Sequence, residues 1–275
     1  GKRRNSPYAS HGIHEYKGKF YPQIAKSLLN YLANGKSELT VVDMFSGSGT
    51  VLSEACLMGF ESHGIEMSPV AIMISKAKLN LLHVKKEEFA KWADDFLQFL
   101  REEKTSSWKE FFDEDSHDEL DKWFPVAVLD KLSAILSYST SLDEKFNIIT
   151  NTLVSNIIRY VSQQNPRDLR INFRKELIQD ADVFGLLEKN LEKLVESMKN
   201  YHYGRNIINC PLGAVTIIEG DNQNINHWPT NIDLIISSPP YGSALPYIDT
   251  YRLSNLLLFG TKRLDCDRLE KSLTG

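Results

Sequence analysis

Apolar residues recur along residues 22–34, PQIAKSLLNYLAN, at Ile24, Leu28, Leu29 and Leu32, the three-and-four spacing of a helix, with Pro22 suited to its first turn. The pattern then changes. Leu39 to Val42 form a short run of β-formers, the turn FSGSG comes next, and Val51, Leu52, Ala55 and Leu57 return to helical spacing. That order predicts strand, glycine loop, helix. ESHGIEMSP predicts a second strand ending at Glu66, and Pro69 opens a helix carrying Val70, Ile72, Ile74, Ala77 and Leu81. The chain therefore begins with helix, then strand and helix twice over.

Residues 85–205 differ in character: EEFAKWADDFLQFLREEK, FPVAVLDKLSAILSY and VFGLLEKNLEKLVESMKN are long, charge-rich and helical in period. They read as a helical insertion. The α/β pattern resumes with AVTIIEGD, residues 214–221, and IDLIISSPPY, residues 232–241, both expected as central strands of a buried parallel sheet. This reading divides the chain into 1–84 and 206–275, the two parts of one α/β domain, and the insertion 85–205. In residues 246–260 a further helix is expected to pack on the sheet through Leu253, Leu256, Leu257 and Leu258.

A chain of 275 residues with 42% hydrophobic residues suffices for one large core with an insertion. The net charge of −4 argues against a protein coated in positive charge, so any nucleic-acid contact needs a local basic patch. Cys56, Cys210 and Cys266 form no C-x-x-C pair, and His11 and His14 have no acidic or cysteine partners at ligand spacing, so no metal site or disulfide framework is expected. GKRRNSPYASHG is followed by no apolar run, and no stretch reaches about 18 apolar residues, which leads to the expectation of a cytoplasmic protein with no membrane span.

Candidate chemistry lies at two turns. In DMFSGSGT, residues 43–50, Gly47 and Gly49 let the backbone approach a ligand, and Glu66 at the end of the next strand can accept hydrogen bonds from ribose hydroxyls. Leu52 replaces the third glycine of a dinucleotide fingerprint and no phosphate-binding lysine follows, so the loop suits a nucleoside without a pyrophosphate. The alternative is that the two glycines simply make a tight turn. In SSPPYGS, Pro239 and Pro240 lack an N–H, end strand pairing and hold an extended path where α/β sheets bind ligands. Their carbonyls and the Ser238 hydroxyl can accept from an amino group, and Tyr241 can stack on a ring. Ser238, Pro239, Pro240 and Tyr241 thus suit a flat heterocycle bearing an exocyclic amine.

These residues resemble the S-adenosylmethionine-dependent amino-methyltransferases of DNA. FSGSG is similar to that family's motif I, SPPY to its motif IV, EGD at residues 219–221 to its motif III, and HGIHEYKGKFYPQIAKSLL at residues 11–29 to its motif X. The order X, I, IV is one of the family's arrangements. The resemblance implies an α/β, Rossmann-like methyltransferase with a mainly parallel sheet, a large helical insertion, and no counterpart of the family's C-terminal strands after Tyr241. It implies S-adenosylmethionine as cofactor, held by Lys19, Phe20, Pro22, Asp43, Phe45, Gly47, Gly49, Glu66 and Asp221, with Phe45 equally readable as a core aromatic. It further implies DNA as partner, with cytosine N4 favoured over adenine N6 by Ser238, in a restriction-modification or defence setting. Because a duplex hides the amine, the target base must be flipped out or single-stranded.

Arg159, Arg167, Arg170, Arg174 and Lys175, in RYVSQQNPRDLRINFRK, are the basic residues expected to meet phosphates. Pairing of these arginines with acidic helices such as DEDSHDELD is the alternative. A C-terminal segment or second polypeptide is expected to complete the sheet. An RNA base methyltransferase and a non-catalytic methyltransferase-like subunit are the competing functional readings.

Overall fold

The computed structural model describes residues 8–208, 210–223, 228–238, 246–261 and 263–272. It divides into two compact units, residues 1–86 with 196–241 and residues 87–195 with 242–275. The sequence-based boundaries lie at 84/85 and 205/206 and keep residues 242–275 with the α/β part. Among the described residues no helix is long and apolar enough to cross a membrane.

The α/β unit holds four strands: β1 (Thr40–Asp43), β2 (Glu61–Glu66), β3 (Val215–Glu219) and β4 (Leu234–Ile235). They are all parallel, in the order β3-β2-β1-β4. Helices α1 (Pro22–Ala33), α2 (Thr50–Leu57) and α3 (Pro69–His83) follow the predicted pattern. Ala25, Leu29 and Ala33 of α1 pack with Val51 and Ala55 of α2 and with Leu39, Val41, Phe60 and Ile236. Each such buried Leu or Val stabilises the fold by about 1.5–3 kcal/mol.

The parallel arrangement brings the carboxyl ends of all four strands to one edge, where the following loops meet. One expectation changes. The two late strands are not central: β3 and β4 lie at opposite edges of the described sheet, and Ile235 is 58% exposed. The reason is topological, since the crossover after β2 carries the chain outward to β3 and the next one carries it past β1 to β4. Burial on both faces is kept for Val41 and Val42 of the inner strand β1.

The second unit is helical, with α4 (Lys86–Arg101), α5 (Trp108–Phe111), α6 (His117–Trp123), α7 (Val126–Thr140), α8 (Glu144–Val161) and the first half of α9 (Val183–Ile208). Its core includes an aromatic cluster in which Trp92 stacks on Phe146 at 5.3 Å and on Phe96 at 5.8 Å. Helices α10 (Tyr247–Thr250), α11 (Arg252–Phe259) and α12 (Arg263–Ser272) belong to the same unit. Here the expectation that Leu253, Leu256 and Leu257 pack on the sheet is corrected: α11 packs on α8 with all three buried, and the Ser155 and Ser254 hydroxyls lie 2.9 Å apart. Helical periodicity identified the buried face of α11 but not the surface that covers it.

Candidate cofactor and substrate site

The loop after β1 is built around two left-handed glycines. Gly47 has φ +49° and Gly49, which caps α2, has φ +68°. A Cβ on Gly49 would lie 2.0 Å from Ser75 Oγ and 3.3 Å from Ser75 Cα, so α3 leaves no room for one. At Gly47 a Cβ would meet only Tyr16 Cε1, at 3.6 Å. The first glycine is therefore required by its conformation, and the second by conformation and packing together.

Glu66 ties the loop to the next strand. Its Oε2 accepts from the Gly47 N–H at 2.7 Å, while Oε1 accepts from the Met67 and Ser68 N–H groups at 3.0 and 2.8 Å. Burial raises the carboxyl's pKa, and these three N–H groups oppose the rise. A carboxylate offers about four acceptor positions, so three such bonds leave one for a ribose hydroxyl.

Asp43 ends β1 and is buried. Its Oδ1 accepts from Ser237 Oγ at 2.6 Å and from the Phe45 N–H at 3.2 Å, which joins the ends of β1 and β4 beside Ser238. Burial pushes its pKa up to about 6, with the hydrogen bonds from Ser237 and Phe45 opposing. Because the folded pKa lies above the unfolded value of 3.8, the folded state holds the proton more tightly. Its contribution to stability is complete below about pH 4 and is lost as pH rises through about 6. Asp43→Asn should flatten that part of the stability-versus-pH curve, read as Tm between about pH 4 and pH 7.5. A curve of unchanged shape would show that Asp43 does not titrate there.

On the other side of the loop, Asn222 Nδ2 donates to the Met44 carbonyl at 3.3 Å, and the Gly220 N–H donates to the Glu66 carbonyl at 2.9 Å. Asp221 accepts from the Gln223 N–H at 3.0 Å, a tight turn at the end of β3. The loops after all four strands are thus linked by hydrogen bonds at a single edge.

The structure brings Asp43, Phe45, Gly47, Gly49, Glu66 and Ser238 together there, with Asp221 in the loop that Asn222 ties to Met44. Phe45 is half-buried, and its N–H lies 3.2 Å from Ser237 Oγ. Lys19 donates to the His11 carbonyl at 3.1 Å, Phe20 packs against the apolar core, and Pro22 is the first residue of α1. Pro239, Pro240 and Tyr241 lie outside the described residues. Ser237 and Tyr16 were missed by sequence reasoning: the serine's role depends on which strand neighbours β1, which no local pattern reveals.

Among the basic residues of the insertion, Arg159 donates to the carbonyls of Asp168 at 2.6 Å, Leu169 at 3.3 Å and Thr250 at 2.8 Å. Arg174 donates to those of Arg159 at 3.4 Å and Tyr160 at 3.1 Å. These two guanidiniums hold the loop in shape by donating to its backbone carbonyls, with the Thr250 hydroxyl also donating to that of Leu169 at 3.0 Å. Arg167, Arg170 and Lys175 are exposed. Phe173, 45% exposed, stacks on Trp123 at 4.1 Å. Among the described residues no group of three or more His, Cys, Asp or Glu could hold a metal ion.

The parallel sheet, the glycine loop after β1 and the acidic residue closing β2 define an α/β, Rossmann-like methyltransferase fold. Residues 13–107 match the family model described as UPF0020, RMKL-like, methyltransferase domain, a span that takes in β1, the glycine loop, β2 and α3. The chain is also similar to two curated proteins. It is 24% identical over 258 residues to the type II methyltransferase M.MvaI of Kocuria varians, which covers 87% of this chain. Over 135 residues, 49% of this chain, it is 34% identical to the type II methyltransferase M.MjaII of Methanocaldococcus jannaschii. The chain spans 55% of the length of the former and 24% of the latter. No solved structure matches it.

Proposed function

We propose that this chain carries the catalytic region of an S-adenosylmethionine-dependent DNA amino-methyltransferase, acting on cytosine N4 in preference to adenine N6. The observation that carries the reading is the Ser237–Asp43 hydrogen bond, which brings the start of the SPPY segment to the glycine loop. Similarity to two proteins named as type II methyltransferases supports DNA as substrate and a place in restriction-modification.

The residues present fit the cofactor. A nucleoside has the Glu66 carboxylate for its ribose, and the space beside Gly47 and Tyr16 suits close backbone approach. Asp221, in the loop after β3, is assigned to the adenine amine, and Lys19, Phe20 and Pro22 to the methionine end. When bound, S-adenosylmethionine supplies an electrophilic methyl on a sulfonium, whose sulfur leaves with the bonding pair.

The chain's own residues act by orientation and electrostatics. Ser238 Oγ and the Pro239 carbonyl accept from the target amine, turning its lone pair toward the methyl, and Tyr241 stacks on the base. Nitrogen forms the new N–C bond and then releases a proton to solvent or to an acceptor at the site. No covalent enzyme intermediate is needed. Arg167, Arg170 and Lys175 are assigned to phosphates, on a loop shaped by Arg159 and Arg174.

The test is transfer of labelled methyl to duplex DNA, single-stranded DNA and tRNA by this chain, with the product base mapped by mass spectrometry. Label on DNA cytosine that disappears in Tyr241→Ala is the expected result. Label on tRNA alone, or none with cofactor bound, would overturn the reading. A companion prediction concerns salt: replacing Arg167, Arg170 and Lys175 together by alanine should reduce the slope of log affinity against log salt by about 2–3, close to 0.9 for each phosphate no longer neutralised. An unchanged slope in a binding titration would place the phosphates elsewhere.

A further inference from the structure

Beneath the glycine loop lies a lysine that the reaction does not use. Lys78, on α3, is wholly buried at 0% exposure. Such burial is rare for a lysine and costs several kcal/mol unless the ammonium is well compensated. Its Nζ donates to the Ser48 carbonyl at 2.7 Å and to Ser48 Oγ at 3.2 Å. Burial and the nearby Lys19 both push its pKa well below the ordinary lysine range, while the charge of Glu54 opposes them.

Ser48 is the residue between the two left-handed glycines. Its carbonyl, facing the interior, needs a donor. The same peptide unit is held at its other end, where the Gly49 N–H donates to the Ser46 carbonyl at 2.8 Å. One residue earlier, the Gly47 N–H is held by Glu66 at 2.7 Å. Three successive anchors therefore set the direction of the loop's peptides, and Lys78 is the only side-chain cation among them.

Glu54, the countercharge, is itself buried on α2. It accepts from the Tyr8 hydroxyl at 2.6 Å and lies 2.6 Å from His11 Nε2. The buried group thus extends from the glycine loop to the N-terminal turn at Ala9–Gly12, whose residue His11 offers its carbonyl to Lys19.

We propose that Lys78 is a positioning residue for cofactor binding: it clamps the Ser48 carbonyl and hydroxyl so that the glycine loop stays in its binding geometry. The proposal rests on the cofactor reading above and goes beyond it by assigning the loop's shape to a side chain on a different helix. Lys78 touches neither substrate nor cofactor; it acts through Ser48.

The test uses Lys78→Met, which keeps length and removes the donor, with Ser48→Ala and the double variant. S-adenosylhomocysteine affinity is measured by calorimetry, Tm by scanning fluorescence, and kcat at saturating cofactor by methyl transfer. Lys78→Met should weaken the ligand about 5- to 30-fold, the range for one to two lost hydrogen bonds. Its kcat at saturation should stay within about 3-fold, since the reacting groups are untouched. Ser48→Ala should weaken binding about 3-fold, and the double variant should be no weaker than Lys78→Met alone, because the two side chains form one interaction.

A lysine that only supports the core would instead give additive effects, or a lower Tm with unchanged ligand affinity, and either result overturns the proposal. Should Lys78→Met fail to fold, Ser48→Ala decides: affinity within about 1.5-fold of wild type overturns the proposal. No binding by folded wild-type protein is distinguishable from these outcomes and removes the cofactor reading together with the inference.

Discussion

Gly49→Ala is expected to weaken cofactor binding about 100-fold or more and to lower Tm by roughly 5–10 °C. Two effects combine. The residue sits at φ +68°, where an L side chain is strained by about 1–2 kcal/mol. Its new Cβ would also lie 2.0 Å from Ser75 Oγ and 2.9 Å from Ser75 Cβ, so the hydroxyl must swing away and the start of α2 must shift from α3. Together they amount to about 2–3 kcal/mol, which for a domain of this size corresponds to the stated change in Tm. The same displacement moves the peptide held by Lys78 and Ser46, so ligand affinity should fall about 100-fold or more. Adding Ser75→Gly removes the contacts with Ser75 Oγ and Cβ but leaves the 3.3 Å approach to its Cα and the backbone strain. In the Ser75→Gly background Gly49→Ala should cost about 1–2 kcal/mol for the strain that remains, less than the roughly 2–3 kcal/mol it costs in the wild type, and an equal cost in both backgrounds would show that the clash is not the cause.

Glu66 should show the second large effect, and its two variants should separate. In Glu66→Ala the N–H groups of Gly47, Met67 and Ser68 lose their acceptor. Each buried donor left unpaired costs about 1–3 kcal/mol, reduced where water can enter, so a total of about 3 kcal/mol is expected along with loss of S-adenosylhomocysteine binding. Glu66→Gln keeps one oxygen, enough to accept from Met67 and Ser68, but turns an amino group toward the Gly47 N–H. It should retain most of the Tm and lose about 10- to 30-fold in affinity, because the tie to the glycine loop is what it lacks. Equal effects of the two variants on affinity and Tm would mean that the bond to Gly47 does not matter. Calorimetry and thermal unfolding read both quantities on the same samples.

Both predictions concern residues that are visible in the sequence, yet the reasons for their importance differ from those that sequence supplies. From sequence, the glycines matter because a side chain would obstruct a ligand. At Gly49 the obstruction is Ser75 of the protein itself. From sequence, Glu66 is a ribose acceptor, and the structure shows it holding three backbone N–H groups. A residue can thus support the site by shaping it, and the same carboxylate can do both.

Local pattern determined a good deal about this protein. Periods of 3.6 and 2 placed α1, α2, α3, β1 and β2 to within a few residues, because amphipathic spacing and turn residues act over short stretches of chain. The glycine loop and the acid ending β2 were likewise legible from side-chain chemistry at fixed spacing. What depends on contacts between distant segments was decided only by tertiary structure. Sheet order put β3 and β4 at the edges and Ser237 on Asp43, 194 residues apart in the chain. Packing sent α11 onto α8, and folding of the arginine-rich loop turned Arg159 and Arg174 inward to backbone carbonyls. Lys78 is the clearest case. In sequence it is one more lysine on a helix, and only the surrounding fold removes it from water and gives its ammonium the Ser48 carbonyl as a partner.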